Sequence, residues 1–187
     1  MAAIPRIHEV SAAASNIHRS MNWGQGPEVT PFAPSALPQY IPYFHIGWAC
    51  FPNPPPWTTA RRGRHSAVLI DRRLSRVDAR MAVAEATGQI VLHTGHDATL
   101  PDQSPEAQTQ QRLTFASVLL VPYDMAELSL ARTLVVDDGH VEDLQISARR
   151  VARDLVVTIE LATNVLAANA HINALARVRA QARAQAS

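Results

Sequence analysis

Residues 75–93, SRVDARMAVAEATGQIVLH, carry a full set of helix signals, and the elements on either side are placed from them. Ser75 supplies the hydroxyl of an N-cap, and Asp78, three residues on, completes a capping box. Apolar or small residues then recur at Val77, Met81, Ala84, Gly88 and Val91, three or four apart, which predicts a helix with one core face running to about His93. Immediately upstream, HSAVLIDRR (65–73) sets Ala67 and Leu69 against Ser66, Val68 and Ile70, the period-two pattern of a strand. The local unit is therefore strand, tight turn and capped helix.

Working outward, the loop HTGHDATLPDQ leads to Ser104 and Pro105, the favoured cap and first-turn pair of a second helix. Its inner stripe is expected at Leu113, Ala116 and Leu120 with Phe115 and Leu119 beside it, and Pro122 ends it. Asp124 can cap a short third helix through about Ala131, and LVVDDG (134–139) reads as an extended crossing. From Val141 the pattern is helical again, interrupted near Val156–Thr158, where Thr158 can cap a last helix that runs toward the end of the chain. Upstream, nine of the 13 prolines fall between Pro27 and Pro56, which forbids a helix there. The interleaved Phe32, Tyr40, Tyr43, Phe44, Trp48 and Phe51 predict an extended arm packed over a core, with YFHIGWACF (43–51) as its strand. Residues 1–22 are expected as a short helix or a mobile segment. The resulting expectation is an α+β, mainly helical fold with a small antiparallel sheet and a long C-terminal helix. Its parts are an arm over 1–40, a domain over 41–166 and a helical tail over 167–187.

A chain of 187 residues is long enough to bury a core without disulfides, and its single cysteine, Cys50, cannot form an internal bridge. Cys50 reads as a small buried thiol in a reduced cytoplasm. The longest uncharged apolar stretch, FASVLLVP (115–122), is far short of the roughly 20 residues of a membrane span, and the start has no basic segment followed by an apolar run. A soluble, unprocessed chain is expected. All 17 basic residues are Arg, and the net charge of +1 gives no global attraction to nucleic acid. Locally, Arg61, Arg62, Arg64, Arg72, Arg73, Arg76 and Arg80 face only Asp71 and Asp78, a density that suits phosphate or an acidic partner as well as a plain solvated face. With seven glycines and no phosphate-loop or dinucleotide motif, a phosphate cradle is not expected.

Three stretches together resemble the ImmA/IrrE-type, zincin-like metallopeptidases of phages, mobile elements and bacterial stress regulation. HSAVLIDRRLSRVDARMAVAEATGQIVLH (65–93) looks like that family's strand, turn, capped helix and trailing Leu-His; QRLTFASVLLVP (111–122) looks like its following helix; VARDLVVTIELATNVL (151–166) is similar to its closing segment. The resemblance implies an H-E-x-x-H helix, in which two histidines one turn apart hold Zn²⁺, the glutamate activates water, and a carboxylate from the next helix closes the site. Aligned on IVLH, those positions here are Glu85, Ala86 and Gln89, and the region of the third ligand, TQQR (109–112), has no carboxylate. Loss of a general base alone removes on the order of 10²- to 10⁴-fold in rate. The implied protein is a pseudo-metallopeptidase with no catalytic residue and no resident metal, binding a repressor-type regulator without cleaving it.

Two other functions compete with it. Glu85, Gln89 and His93 share a helical face, and His96 and Asp97 follow, so a substitute zinc site from His93, His96, Asp97 and Glu85 would preserve a metallo-endopeptidase. DDGHVED (137–143) reads as a solvated acidic turn before a cation site, and His8, His18, His45, His65 and His171 stand isolated in the sequence. SARRVARDLVVTIELATNVL (147–166) has helix-turn-helix spacing, but its second helix carries Glu160 and no basic residue, which speaks against reading DNA. Val165, Ile172, Leu175 and Val178 are spaced to serve as a homodimer seam or to pack on the chain's own domain.

Overall fold

The computed structural model describes residues 6–23, 28–51, 56–101, 103–133 and 144–168, and these are α+β and mainly helical, as expected. They belong to two compact units: Met1–Trp23 with Phe32–Leu120, and Gly24–Pro31 with Val121–Ser187. The division falls inside the 41–166 segment. The crossing at 134–139, the acidic stretch 137–143 and the tail beyond Ala168, with the seam residues Ile172, Leu175 and Val178, lie outside the described residues.

The first unit begins with α1 (Ile7–Ser20), a helix within the segment expected to be an arm, whose Val10, Ala14 and Ile17 are buried. The proline-rich stretch then makes a 3₁₀ turn over Pro34–Gln39 and enters β1 (Phe44–Ala49). Two further strands follow, β2 (Trp57–Arg62) and β3 (His65–Asp71), joined by a two-residue turn in which Gly63 takes φ 60°. β3 is central: β2 pairs with it antiparallel and β1 parallel, so the sheet is mixed rather than antiparallel. The difference arises at β2. WTTARR lacks apolar alternation because β2 is an edge strand with exposed Thr58, Ala60, Arg61 and Arg62, and its insertion between β1 and β3 in sequence forces those two to run the same way.

One face of the sheet, with Phe44, Val68 and Ile70, is buried; the other, with His45, His65 and Ala60, is open. Packed with the sheet is α2 (Arg76–Gln89), continued by one π turn over Ile90–Thr94. Ser75 is the N-cap as expected, the Asp78 amide donating to its Oγ at 3.1 Å, while the Asp78 carboxylate accepts from the Ser75 hydroxyl at 2.7 Å rather than making the backbone bond of a full capping box. α2 contacts β2, β3 and the next helix, α3 (Pro105–Leu120), so its buried arc takes in Ala79, Ala82, Val83 and Ala86. Of the expected stripe, Ala84 and Gly88 are buried, whereas Val77, Met81 and Val91 are half-exposed. Similarly, α3 packs on both α1 and α2 and buries Gln111, Phe115, Ala116, Leu119 and Leu120, leaving the expected Leu113 exposed. Cys50 is exposed, not buried, and accepts a 2.8 Å hydrogen bond from Arg72 Nε.

The second unit holds α4 (Tyr123–Thr133), α5 (Leu144–Leu155) and α6 (Ile159–Ala168), packed through Met125, Ala148, Val151, Leu155, Ala162 and Leu166. Thr158 caps α6 as expected, its hydroxyl accepting from the Leu161 amide at 3.1 Å. No single helix among the described residues is long and apolar enough to cross a membrane.

Candidate functional site

The first turns of α3 lie against the last turns of α2, and β2 delivers Trp57 to the same place. Glu85 and Gln89 project from α2 at i and i+4, hence from one face. Arg112 of α3 sits among them: its Nη1 donates to Gln89 Oε1 at 3.1 Å, its Nη2 to Thr109 Oγ1 at 3.4 Å, and its guanidinium carbon stands 5.4 Å from the centre of the Trp57 ring. This is a cation–π contact combined with directed hydrogen bonds. The indole N–H of Trp57 faces the Glu85 carboxylate and favours its charged form.

The network continues in one direction. Gln89 accepts from Arg112, donates through Nε2 to Gln108 Oε1 at 3.3 Å, and Gln108 donates to the Gln103 carbonyl at 2.9 Å. Each amide therefore has its oxygen and nitrogen assigned by its neighbours. Burial pushes the Glu85 carboxyl above its ordinary range, partly opposed by the Trp57 indole N–H and the charge of Arg112. Burial likewise lowers Arg112 from its ordinary value, partly offset by Glu85, and Arg112 stays fully cationic. Its Nε is buried without a partner.

The residues expected from the sequence are placed as follows. Ala86 is fully buried and contributes no polar group. His93 is buried, with Nδ1 2.9 Å from the Leu100 carbonyl; a carbonyl can only accept, so Nδ1 carries the proton and the unpartnered Nε2 is a bare lone pair. Burial lowers its pKa, and Arg112 adds to the shift, which keeps the ring neutral. His96 and Asp97 are exposed on the following turn, 3.9 Å apart. Among the described residues, no three His, Cys, Asp or Glu side chains gather closely enough to share an ion, so His93, His96, Asp97 and Glu85 are not assembled into the substitute site. The π turn sends His93 inward while His96 and Asp97 leave along the loop.

Trp57, Gln108 and Arg112 did not figure as site residues from the sequence. The available signal was Arg112 within a run otherwise polar and neutral, TQQR; that it meets Gln89 depends on how α2 and α3 pack. Of the seven arginines of 61–80, six are exposed, and three of those six are bonded within the chain, Arg72 to Cys50 as above. Arg80 is buried, Arg73 is held by Asp71 at 2.6 Å and by the Phe51 carbonyl, and Arg61 donates to the Thr94 carbonyl at 3.2 Å; Arg62, Arg64 and Arg76 are exposed. His18, isolated in the sequence, is a core residue: its Nε2–H donates to the Leu119 carbonyl at 3.0 Å, and its ring packs on Trp23 and Phe32.

In the second unit α5 and α6 are joined by the three residues Val156–Thr158, as the helix-turn-helix spacing anticipates, yet α6 exposes Ile159, Glu160 and Asn164, with no basic group toward solvent. Comparisons of the chain with protein-family models, with curated proteins and with solved structures returned no match.

Proposed function

We propose that this chain is a non-catalytic relative of the metallopeptidases it resembles, a regulatory module of phage or mobile-element type that holds a repressor-type regulator without cutting it. One observation carries the reading: beside Glu85 and Gln89, where the resemblance places a metal, the chain has its own cation, the Arg112 guanidinium, stacked on Trp57 and bonded to Gln89. A fixed positive charge there opposes a divalent ion, and the neutral Gln89 amide is already committed at both ends. Ala86 has no atom able to accept a proton from water. The arm supports a binding role. Phe32, Leu37 and Phe44 are buried as a cover, while Tyr40, Tyr43 and Trp48 are exposed, Trp48 by 59%, and aromatic residues of this kind anchor protein interfaces. Trp48 borders a cleft of about 520 Å³ with Pro34, Pro38, Ile46, Arg76 and Val83 among its lining residues.

The test restores ligands to the frame. Glu85→His, Gln89→His and Gln108→Glu with Arg112→Ala is expected to bind one zinc per chain at this site, whereas the wild-type site binds none. Zinc in the wild-type protein that is lost on Glu85→Ala or Gln89→Ala overturns the reading, as does a folded quadruple variant that takes up no zinc there. For the partner, regulators with a helix-turn-helix domain are mixed with the chain and weighed by intact mass spectrometry. A stable complex with the regulator uncleaved is expected; cleavage refutes a non-catalytic role.

A further inference from the structure

Two histidines far apart in the sequence meet on the open face of the sheet. The parallel register sets His45 of β1 opposite Ala67 of β3, which leaves His65, two residues earlier on the same face, diagonally beside it. His45 Nε2 and His65 Nδ1 are 3.2 Å apart. The rings are nearly parallel, 10° between planes and 5.6 Å between centres, and the Tyr43 ring approaches His65 edge-on at 5.2 Å. Both histidines are exposed.

Between two neutral rings at this distance one N–H donates and one lone pair accepts. The spacing also matches the bite of a metal. With metal–nitrogen bonds of about 2.0–2.1 Å, two imidazoles on a tetrahedral ion stand about 3.4 Å apart. A modest rotation about χ2 of the two exposed rings would turn both lone pairs onto a common point, and the β1–β3 register holds the two residues as diagonal neighbours beforehand. We propose that His45 and His65 form a binding site for an imidazole-preferring divalent ion of the Ni²⁺, Cu²⁺ or Zn²⁺ type. Among the described residues no third His, Cys, Asp or Glu joins the pair, so water completes the coordination and the ion exchanges readily. Mg²⁺ and Ca²⁺, which take oxygen ligands, are excluded by the donor set. Arg62, exposed and paired with His65 across the β2–β3 ladder, places a positive charge on the same face. That charge opposes the ion and is screened by salt, so affinity should rise with ionic strength. The site is independent of the Glu85–Arg112 cluster, which lies on the covered side of the sheet with Trp57.

The experiment is calorimetric titration of the untagged full chain, freed of metal with chelator, using Ni²⁺, Zn²⁺ and Mg²⁺ in turn. One equivalent of Ni²⁺ or Zn²⁺ and no Mg²⁺ is expected. His45→Ala or His65→Ala should each weaken binding roughly a hundredfold, the low end of what linking two binding groups adds to one. His96→Ala, on an exposed loop, should change nothing. Because both histidines are exposed, the variants retain the wild-type circular dichroism spectrum. Failure of the wild-type chain to bind Ni²⁺ or Zn²⁺, or binding that survives both histidine substitutions, overturns the assignment; loss on Glu85→Ala instead overturns this site and the proposed function together.

Discussion

Gly88→Ala tests the helix contact on which the Arg112 cluster depends. A methyl group at position 88 would stand 2.9 Å from Phe115 Cδ1, 3.2 Å from its Cγ and 3.3 Å from its Cβ. Two of these contacts are near the root of the side chain, and Phe115 is fully buried, so the ring has little room to withdraw without moving α3. Two effects oppose each other. Alanine in a helix interior gains about 1 kcal/mol over glycine, whereas overpacking a close-packed core costs about 1–3 kcal/mol. The contact should win, leaving a net loss of about 1 kcal/mol, or about 2–4 °C in Tm for a chain of this size. All three tryptophans, Trp23, Trp48 and Trp57, belong to the first unit, so urea unfolding followed by tryptophan fluorescence reports that unit. In a Phe115→Leu background the clash is relieved and the same substitution should become stabilising, with a coupling energy of at least about 0.5 kcal/mol in the double-mutant cycle. Stabilisation by Gly88→Ala in the wild type, with no coupling to Phe115, would refute the close approach of α2 and α3.

Two further outcomes follow from single groups. Burial raises the Glu85 carboxyl, so the folded chain holds that proton more tightly than the unfolded chain; the associated stability is present below the ordinary carboxyl range and is lost as pH rises through the raised value. Glu85→Gln should therefore gain stability relative to wild type at about pH 8 and lose that advantage by about pH 4, measured by urea unfolding at each pH; an advantage that grows on acidification contradicts the assigned burial. Val156 takes φ 54°, a left-handed conformation that costs a β-branched residue about 1–2 kcal/mol. Val156→Gly should stabilise the α5–α6 pair by about 0.5–1 kcal/mol after the entropy of glycine is charged against it, seen as a higher midpoint by circular dichroism; a lower midpoint counts against the strained turn.

The legible features were those encoded by neighbours in the chain. Ser75–Asp78, Ser104–Pro105 and Thr158 marked helix starts because a cap is made within three residues. β3 was visible because it buries alternate residues, and β1 because its aromatic and apolar residues stand out in a stretch whose prolines forbid a helix. β2 was not, since an edge strand exposed along most of its length leaves no hydrophobic period, and with it went the mixed pairing of the sheet. The stripes on α2 and α3 were displaced because each helix is covered from more than one direction, which broadens the buried arc beyond what a single period implies.

The sequence by itself determined which groups stand at 85, 86 and 89: one carboxylate, one methyl group and one neutral amide, where an H-E-x-x-H helix has two imidazoles and a general base. It also determined where helices begin, because caps are local bonds. Only tertiary structure decided what stands beside them. Arg112 is 23 residues from Gln89, Trp57 is on another element again, and His45 and His65 are 20 apart; their meetings follow from helix packing and strand register, which are set by the whole buried surface rather than by any one segment.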